Sequence, residues 1–63
     1  MNTYKISYGG HDYLISSDTY MNAKKELAKQ LDITWDCSKK DTQHILMASI
    51  RQQIDGNWAF VKE

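Results

Sequence analysis

The dipeptide Asp55-Gly56 constrains the fold most strongly, because it separates two apolar segments near the end of the chain. A two-residue hairpin turn needs φ > 0 at both central positions, and Gly and Asp tolerate that conformation. The dipeptide therefore predicts a hairpin that pairs a strand over 46–54 with a strand over 57–62. Alternation supports the first strand, with one face carrying Leu46, Ala48, Ile50 and Ile54 and the other Ser49, Arg51 and Gln53.

A helix competes with the first of these strands. Asp41 or Thr42 could cap it, and Gly56 could end it. Its apolar stripe would consist of Ile45, Leu46, Ile50 and Ile54. We favour the strand, and the helix stays open as the alternative.

A second two-residue turn, Gly9-Gly10, predicts an N-terminal hairpin of strands 3–8 and 11–16. Nearly all of its large side chains fall on one face through the pairs Tyr8 with His11, Ile6 with Tyr13, and Tyr4 with Ile15. That face must be covered by another element.

The covering element is predicted to be a helix that begins at a Ser17 or Asp18 cap and runs to about Leu31. Its apolar stripe is Tyr20, Ala23, Leu27 and Leu31, with Ala28 beside it, and we expect Lys24, Lys25 and Lys29 to point to solvent. Segment 32–43 lacks a clear period and is predicted to be a loop. The predicted fold is α+β in the order β-β-α-β-β: a four-stranded antiparallel sheet of two hairpins with one helix packed on one face.

Size and charge limit the possible functions. A chain of 63 residues is a single small domain near the lower limit for one core, as a monomer or a homodimer. Its zero net charge argues against a strongly basic nucleic-acid binder and against an acidic DNA mimic. One cysteine cannot form an internal disulfide, and neither a membrane-spanning run nor a signal peptide is evident. We expect a cytoplasmic protein that does not contact a membrane.

Catalytic and metal-binding patterns are weak. Cys37 is accompanied by His11 and His44, but none of the three lies at a spacing typical of metal ligands. Gly9-Gly10 lacks the strand, glycine-rich loop and helix of a phosphate-binding loop. We expect no enzymatic activity, no metal and no cofactor.

A single helix would leave the second face of the sheet open. With a two-residue turn at Asp55-Gly56, Trp58 and Phe60 lie on the polar side with Arg51, a combination enriched in binding hot spots. With a three-residue turn the register shifts by one residue, and both aromatic residues become buried. The two registers are about equally supported, since so small a domain needs large side chains in its core.

The lysines of the helix also have two interpretations. Lys24, Lys25 and Lys29 could form an ordinary solvated face, or a contact surface for phosphate or for an acidic protein. Phosphate contacts would depend on salt and carry no base information.

Two segments of the chain resemble the type I-F group of small phage-encoded anti-CRISPR proteins. They are the helix segment Ala23-Lys24-Lys25-Glu26-Leu27-Ala28-Lys29 and the closing segment Ile54-Asp55-Gly56-Asn57-Trp58, which is followed by Lys62-Glu63. The resemblance covers about half of the chain, and loop 32–43 is longer than in that group. It implies a non-enzymatic inhibitor that docks on a host CRISPR-Cas effector complex of protein and RNA and blocks target DNA binding. It further implies that Lys24, Lys25 and Lys29 contact the complex or nearby DNA phosphates.

Three function classes follow from these patterns. The first is the inhibitor of a host defence complex, with a partner surface formed by Lys24, Lys25, Lys29, Arg51, Trp58 and Phe60. The second is a small nucleic-acid-binding accessory module that uses the lysine face directly. The third is a homo-oligomer that pairs through its open sheet face.

Overall fold

The computed structural model describes residues 1–61 and shows a small α+β domain with a four-stranded antiparallel sheet and two helices. The elements in chain order are β1 (Asn2–Tyr8), β2 (His11–Ser17), α1 (Tyr20–Gln30), α2 (Lys40–Met47), β3 (Ser49–Ile54) and β4 (Asn57–Phe60). The four strands and the helix after β2 are confirmed, whereas the predicted order with a single helix is incomplete.

The N-terminal hairpin has the predicted register. Tyr8 pairs with His11, Ile6 with Tyr13, and Tyr4 with Ile15. Gly9 and Gly10 have φ of 59° and 80°, which fits the two-residue turn that joins strands with right-handed twist. Both strands extend one residue further from the turn than predicted.

The C-terminal hairpin has the strict two-residue turn, with φ of 51° at Asp55 and 81° at Gly56. Ile54 therefore pairs with Asn57, and the three-residue alternative is excluded. The first strand begins at Ser49 instead of 46, because residues 46 and 47 belong to α2. β4 ends at Phe60, so the predicted strand does not include Val61, and its predicted end at Lys62 lies outside the described residues.

The N-cap of helix α1 lies one residue after Asp18 and two after Ser17, the two caps predicted for it. Thr19 is the N-cap, and its Oγ1 accepts a hydrogen bond of 3.2 Å from the Asn22 backbone N–H. The chain leaves the helix through Asp32, which takes the left-handed conformation (φ 59°) that often ends helices. The predicted stripe is confirmed at Ala23, Leu27 and Ala28, which are buried.

The prediction that segment 32–43 is a loop is wrong at its end, where α2 begins at Lys40. The competing helix was therefore correct over part of its length, but it ends at Met47 and not at Gly56. Thr42 connects the start of α2 to the preceding loop. Its buried hydroxyl donates to the Thr34 carbonyl and accepts from the Asp36 N–H, each at 3.0 Å. The preceding loop is thereby tied to the first turn of α2.

The strand order β2-β1-β3-β4 puts the two hairpins side by side, with β1 against β3. The core lies on one side of the sheet and consists of Tyr4, Ile6, Ile15, Ala23, Leu27, Ala28, Ile45 and Ile50. Because that cluster includes residues from both helices and from three strands, both helices pack on the same face. The opposite face of the sheet is not covered by any described element.

Candidate functional site

The uncovered side of the sheet, termed the open face, carries a row of side chains across all four strands. Lys5 on β1 pairs with Leu14 on β2 and with Arg51 on β3, and Arg51 pairs in turn with Phe60 on β4. Directly paired residues point to the same side of a sheet. The order across the open face is therefore Leu14, Lys5, Arg51 and Phe60.

Two cations on the open face contact aromatic rings. Lys5 Nζ lies 4.5 Å from the centroid of the Trp58 ring, and Arg51 Cζ lies 4.6 Å from that of Phe60. Such contacts contribute about 0.5–1 kcal/mol each at exposed sites. Phe60 remains 67% exposed, so most of its ring is accessible to a partner.

The only acidic side chain that the register places on the described open face is at one end of it. Asp12 on β2 accepts a hydrogen bond of 2.7 Å from the Ser7 hydroxyl on β1, its paired residue. Asp12 lies two positions along β2 from Leu14, the end residue of the row that contains Lys5 and Arg51. The centre of the open face therefore carries positive charge next to aromatic rings.

The structure brings together three of the predicted site residues, Arg51, Trp58 and Phe60, on the open face. The sequence interpretation missed Lys5, which joins them only because β1 lies next to β3. That pairing connects two hairpins distant in sequence, and no local pattern predicts it. The alternation of β1 did indicate that Lys5 points away from the core.

The prediction that Lys24 points to solvent is wrong, because this side chain is fully buried. Its Nζ donates a hydrogen bond of 2.6 Å to the Leu46 carbonyl in the last turn of α2. Helical geometry of about 100° per residue puts position 24 only about 40° from Tyr20, within the apolar stripe. That spacing was a usable signal, whereas positions 25 and 29 lie on the far side.

Lys25 and Lys29 are exposed, as predicted, and lie four residues apart on α1. They are on a different surface from the open face, since α1 covers the opposite side of the sheet. The predicted set of six partner-binding residues therefore divides into three on the open face, two on the helix surface and one in the interior.

Groups with catalytic potential are sparse in the part of the chain that the structure describes. No cluster of three or more His, Cys, Asp or Glu residues there could hold a metal ion. Cys37 is a free, exposed thiol in the loop before α2. Hydrogen bonds from the Ser38 backbone N–H and hydroxyl lower the pKa of Asp36, which is a local turn interaction. The contacts between Ser38 and Asp36 stabilise the loop before α2.

No protein-family model matches the chain, and neither a curated protein nor a solved structure shows significant similarity to it. None of the helices within residues 1–61 combines the length and apolar character needed to cross a membrane.

Proposed function

We propose that the chain is a non-enzymatic binding protein that holds a short single-stranded stretch of RNA or DNA on its open face. The observation that carries the proposal is the pair of cation–aromatic contacts, Lys5 with Trp58 and Arg51 with Phe60. Single-stranded nucleic acid is bound by aromatic rings on which bases stack and by cations that contact the phosphates. The open face supplies both kinds of group side by side.

The size of the open face favours a nucleic-acid strand over a large protein surface. Four strands about 4.8 Å apart, each running roughly 13–23 Å, make a face of roughly 400 Å². A stable protein–protein interface usually buries about 800 Å² on each partner. Two or three stacked nucleotides match the smaller area.

The setting we propose is a host CRISPR-Cas effector complex, where the guide RNA and the target DNA provide such strands. The resemblance to type I-F anti-CRISPR proteins supports this setting. The positive centre of the open face would be repelled by a basic DNA-binding channel. The inhibitor would therefore block target binding by covering RNA or displaced DNA, and not by imitating DNA in the channel.

Fluorescence anisotropy with labelled single-stranded RNA and DNA of about twelve nucleotides tests the surface. Removal of a stacked ring costs about 1–3 kcal/mol of binding. We expect Phe60→Ala to weaken binding roughly five- to 150-fold, and Arg51→Gln to reduce both affinity and its dependence on salt. Met47→Ala is the matched control, since Met47 is 83% exposed but lies on α2. Equal affinity of Phe60→Ala and the parent would refute the proposed surface.

A second assay separates the inhibitor from an accessory module that binds free strands. Purified type I-F effector complex is mixed with labelled target DNA, with and without the protein. In a gel mobility-shift experiment, an inhibitor prevents the complex from binding and retarding the DNA. The Phe60→Ala variant should not prevent this binding. An accessory module binds the free strand in the first assay but leaves the complex active in the second.

A further inference from the structure

The outer edge of β2 is an unusually accessible sheet edge. β2 has seven residues, and no strand within residues 1–61 pairs with its outer side, whereas β4 at the other edge has only four. Proteins commonly protect sheet edges with lysine, proline, a bulge or a short strand. β2 contains neither Lys nor Pro, and its pairing with β1 continues without a bulge from His11 to Ser17.

The turn geometry defines which backbone groups of β2 face outward. In the two-residue turn the Tyr8 carbonyl accepts from the His11 N–H, so this pair is hydrogen-bonded. Hydrogen-bonded and non-hydrogen-bonded pairs alternate along an antiparallel ladder. The N–H and C=O groups of Asp12, Leu14 and Ser16 therefore point away from β1, toward the outer edge.

A groove runs between this edge and helix α1. It has a volume of about 490 Å³, and its floor includes residues 14–17 of β2. Lys25, Glu26 and Lys29 line its helical side, and all three are exposed. Two lysines and one glutamate give this side of the groove a net positive charge. A strand added to the β2 edge would point every second side chain toward it.

We infer that the β2 edge binds an extended acidic segment of a partner protein, which adds a fifth strand to the sheet. The backbone of that segment would pair with Asp12, Leu14 and Ser16, the mode of recognition known as β-strand addition. Its acidic side chains would alternate with apolar ones: the acidic set faces Lys25 and Lys29, and the apolar set lies beside Leu14, which is 63% exposed on the open face.

Charge favours such a segment over a second copy of the chain. Pairing of β2 with β2 of another copy would bring together two grooves of the same net positive charge, which is unfavourable. The surface is also separate from the aromatic cluster of the open face, since Phe60 lies three strands away on β4. This inference therefore does not depend on the proposed nucleic-acid binding.

We use two capped peptides of about eight residues as probes, a length that spans the seven residues of β2. One peptide alternates Glu with Val, and the other alternates Lys with Val. Binding is followed by NMR of the ¹⁵N-labelled protein. We expect the Glu peptide to bind at least about tenfold more tightly than the Lys peptide, the difference that opposite and like charge produce at one site. It should slow amide hydrogen exchange at Asp12, Leu14 and Ser16, while the amides that face β1 remain protected throughout.

Charge reversal by Lys25→Glu with Lys29→Glu should invert the preference between the two peptides, and both positions are exposed, so the fold is retained. Phe60→Ala is the matched control and should leave peptide binding unchanged. The inference would be overturned if the parent bound both peptides equally or bound neither. It would also be overturned if, without peptide, amide exchange protection at the β2 edge increased with protein concentration. The last result would assign the edge to a second copy.

Discussion

Lys24 offers the sharpest test of the structure, because its neighbour Lys25 has the same charge but is exposed. The Lys24 ammonium group donates to the Leu46 carbonyl, one of the last four carbonyls of α2, which have no partner within the helix. A cation at this position also interacts favourably with the negative end of the helix dipole. Lys24 thus joins the two helices that cover the core.

The cost of removing Lys24 can be estimated from these contacts. Lys24→Ala removes three buried methylene groups, about 0.8 kcal/mol each, and a charged hydrogen bond of about 1.5–3 kcal/mol. The sum is about 4–5 kcal/mol, against a total stability of about 3–9 kcal/mol for a domain of this length. Lys24→Met keeps the apolar stem and removes the cost of burying a charge, so we expect a loss of only about 1–2 kcal/mol.

Thermal melting followed by circular dichroism provides the measurement. For so small a domain 1 kcal/mol corresponds to a shift in Tm of about 4–8 °C. We expect Lys24→Glu to be largely unfolded at 25 °C, because it directs a carboxylate at a buried carbonyl, and Lys24→Ala to melt at least 15 °C below the parent, by roughly that conversion. Lys25→Glu should lie within about 0.5 kcal/mol of the parent. If Lys24→Glu and Lys25→Glu melt at the same temperature, Lys24 is not buried and the packing of α1 on α2 is wrong.

Three further predictions concern the rest of the molecule. Trp58→Ala should cost only about 1–2 kcal/mol, less than the 3–5 kcal/mol of a core aromatic, because Trp58 is half-buried on the open face; a larger loss in urea unfolding would place it in the core. The lowered pKa of Asp36 stabilises the fold above the unfolded value of about 3.8, and this contribution is lost as pH falls through the folded pKa. Asp36→Asn should therefore flatten the pH dependence of Tm in that acidic range, and an unchanged profile would contradict the role of the Ser38 hydrogen bonds. Inhibition of the effector complex should survive replacement of the three candidate reactive groups, tested together as Cys37→Ser, His11→Gln and His44→Gln, and its loss in a folded variant that still binds single strands would contradict the non-enzymatic interpretation.

Local turn chemistry made both hairpins predictable. Gly9-Gly10 and Asp55-Gly56 each fix a two-residue turn, and a turn of known length fixes the register of its two strands. The registers observed in β1–β2 and β3–β4 therefore follow from the two turns, Gly9-Gly10 and Asp55-Gly56. The sequence left a three-residue turn open as well, and the observed two-residue turn is what puts Trp58 and Phe60 on one face with Arg51.

Segment 40–54 was ambiguous because its apolar residues satisfy the helical and the extended period over part of its length. The chain uses both, with a helix to Met47 and a strand from Ser49. A helix of eight residues is too short to be stable alone, so its formation depends on burial of Thr42 and Ile45 against the rest of the domain. Local sequence cannot report that burial.

The burial of Lys24 and the presence of Lys5 on the open face were decided by tertiary structure. Lys24 is buried because α2 supplies a carbonyl acceptor for its ammonium group, and the sequence pattern left that second helix only as the alternative to a strand. Lys5 reaches Trp58 because β1 pairs with β3, a contact between residues more than forty positions apart. Sequence patterns report interactions along one turn, hairpin or helix, whereas the partners of these two lysines depend on how separate elements meet around the core.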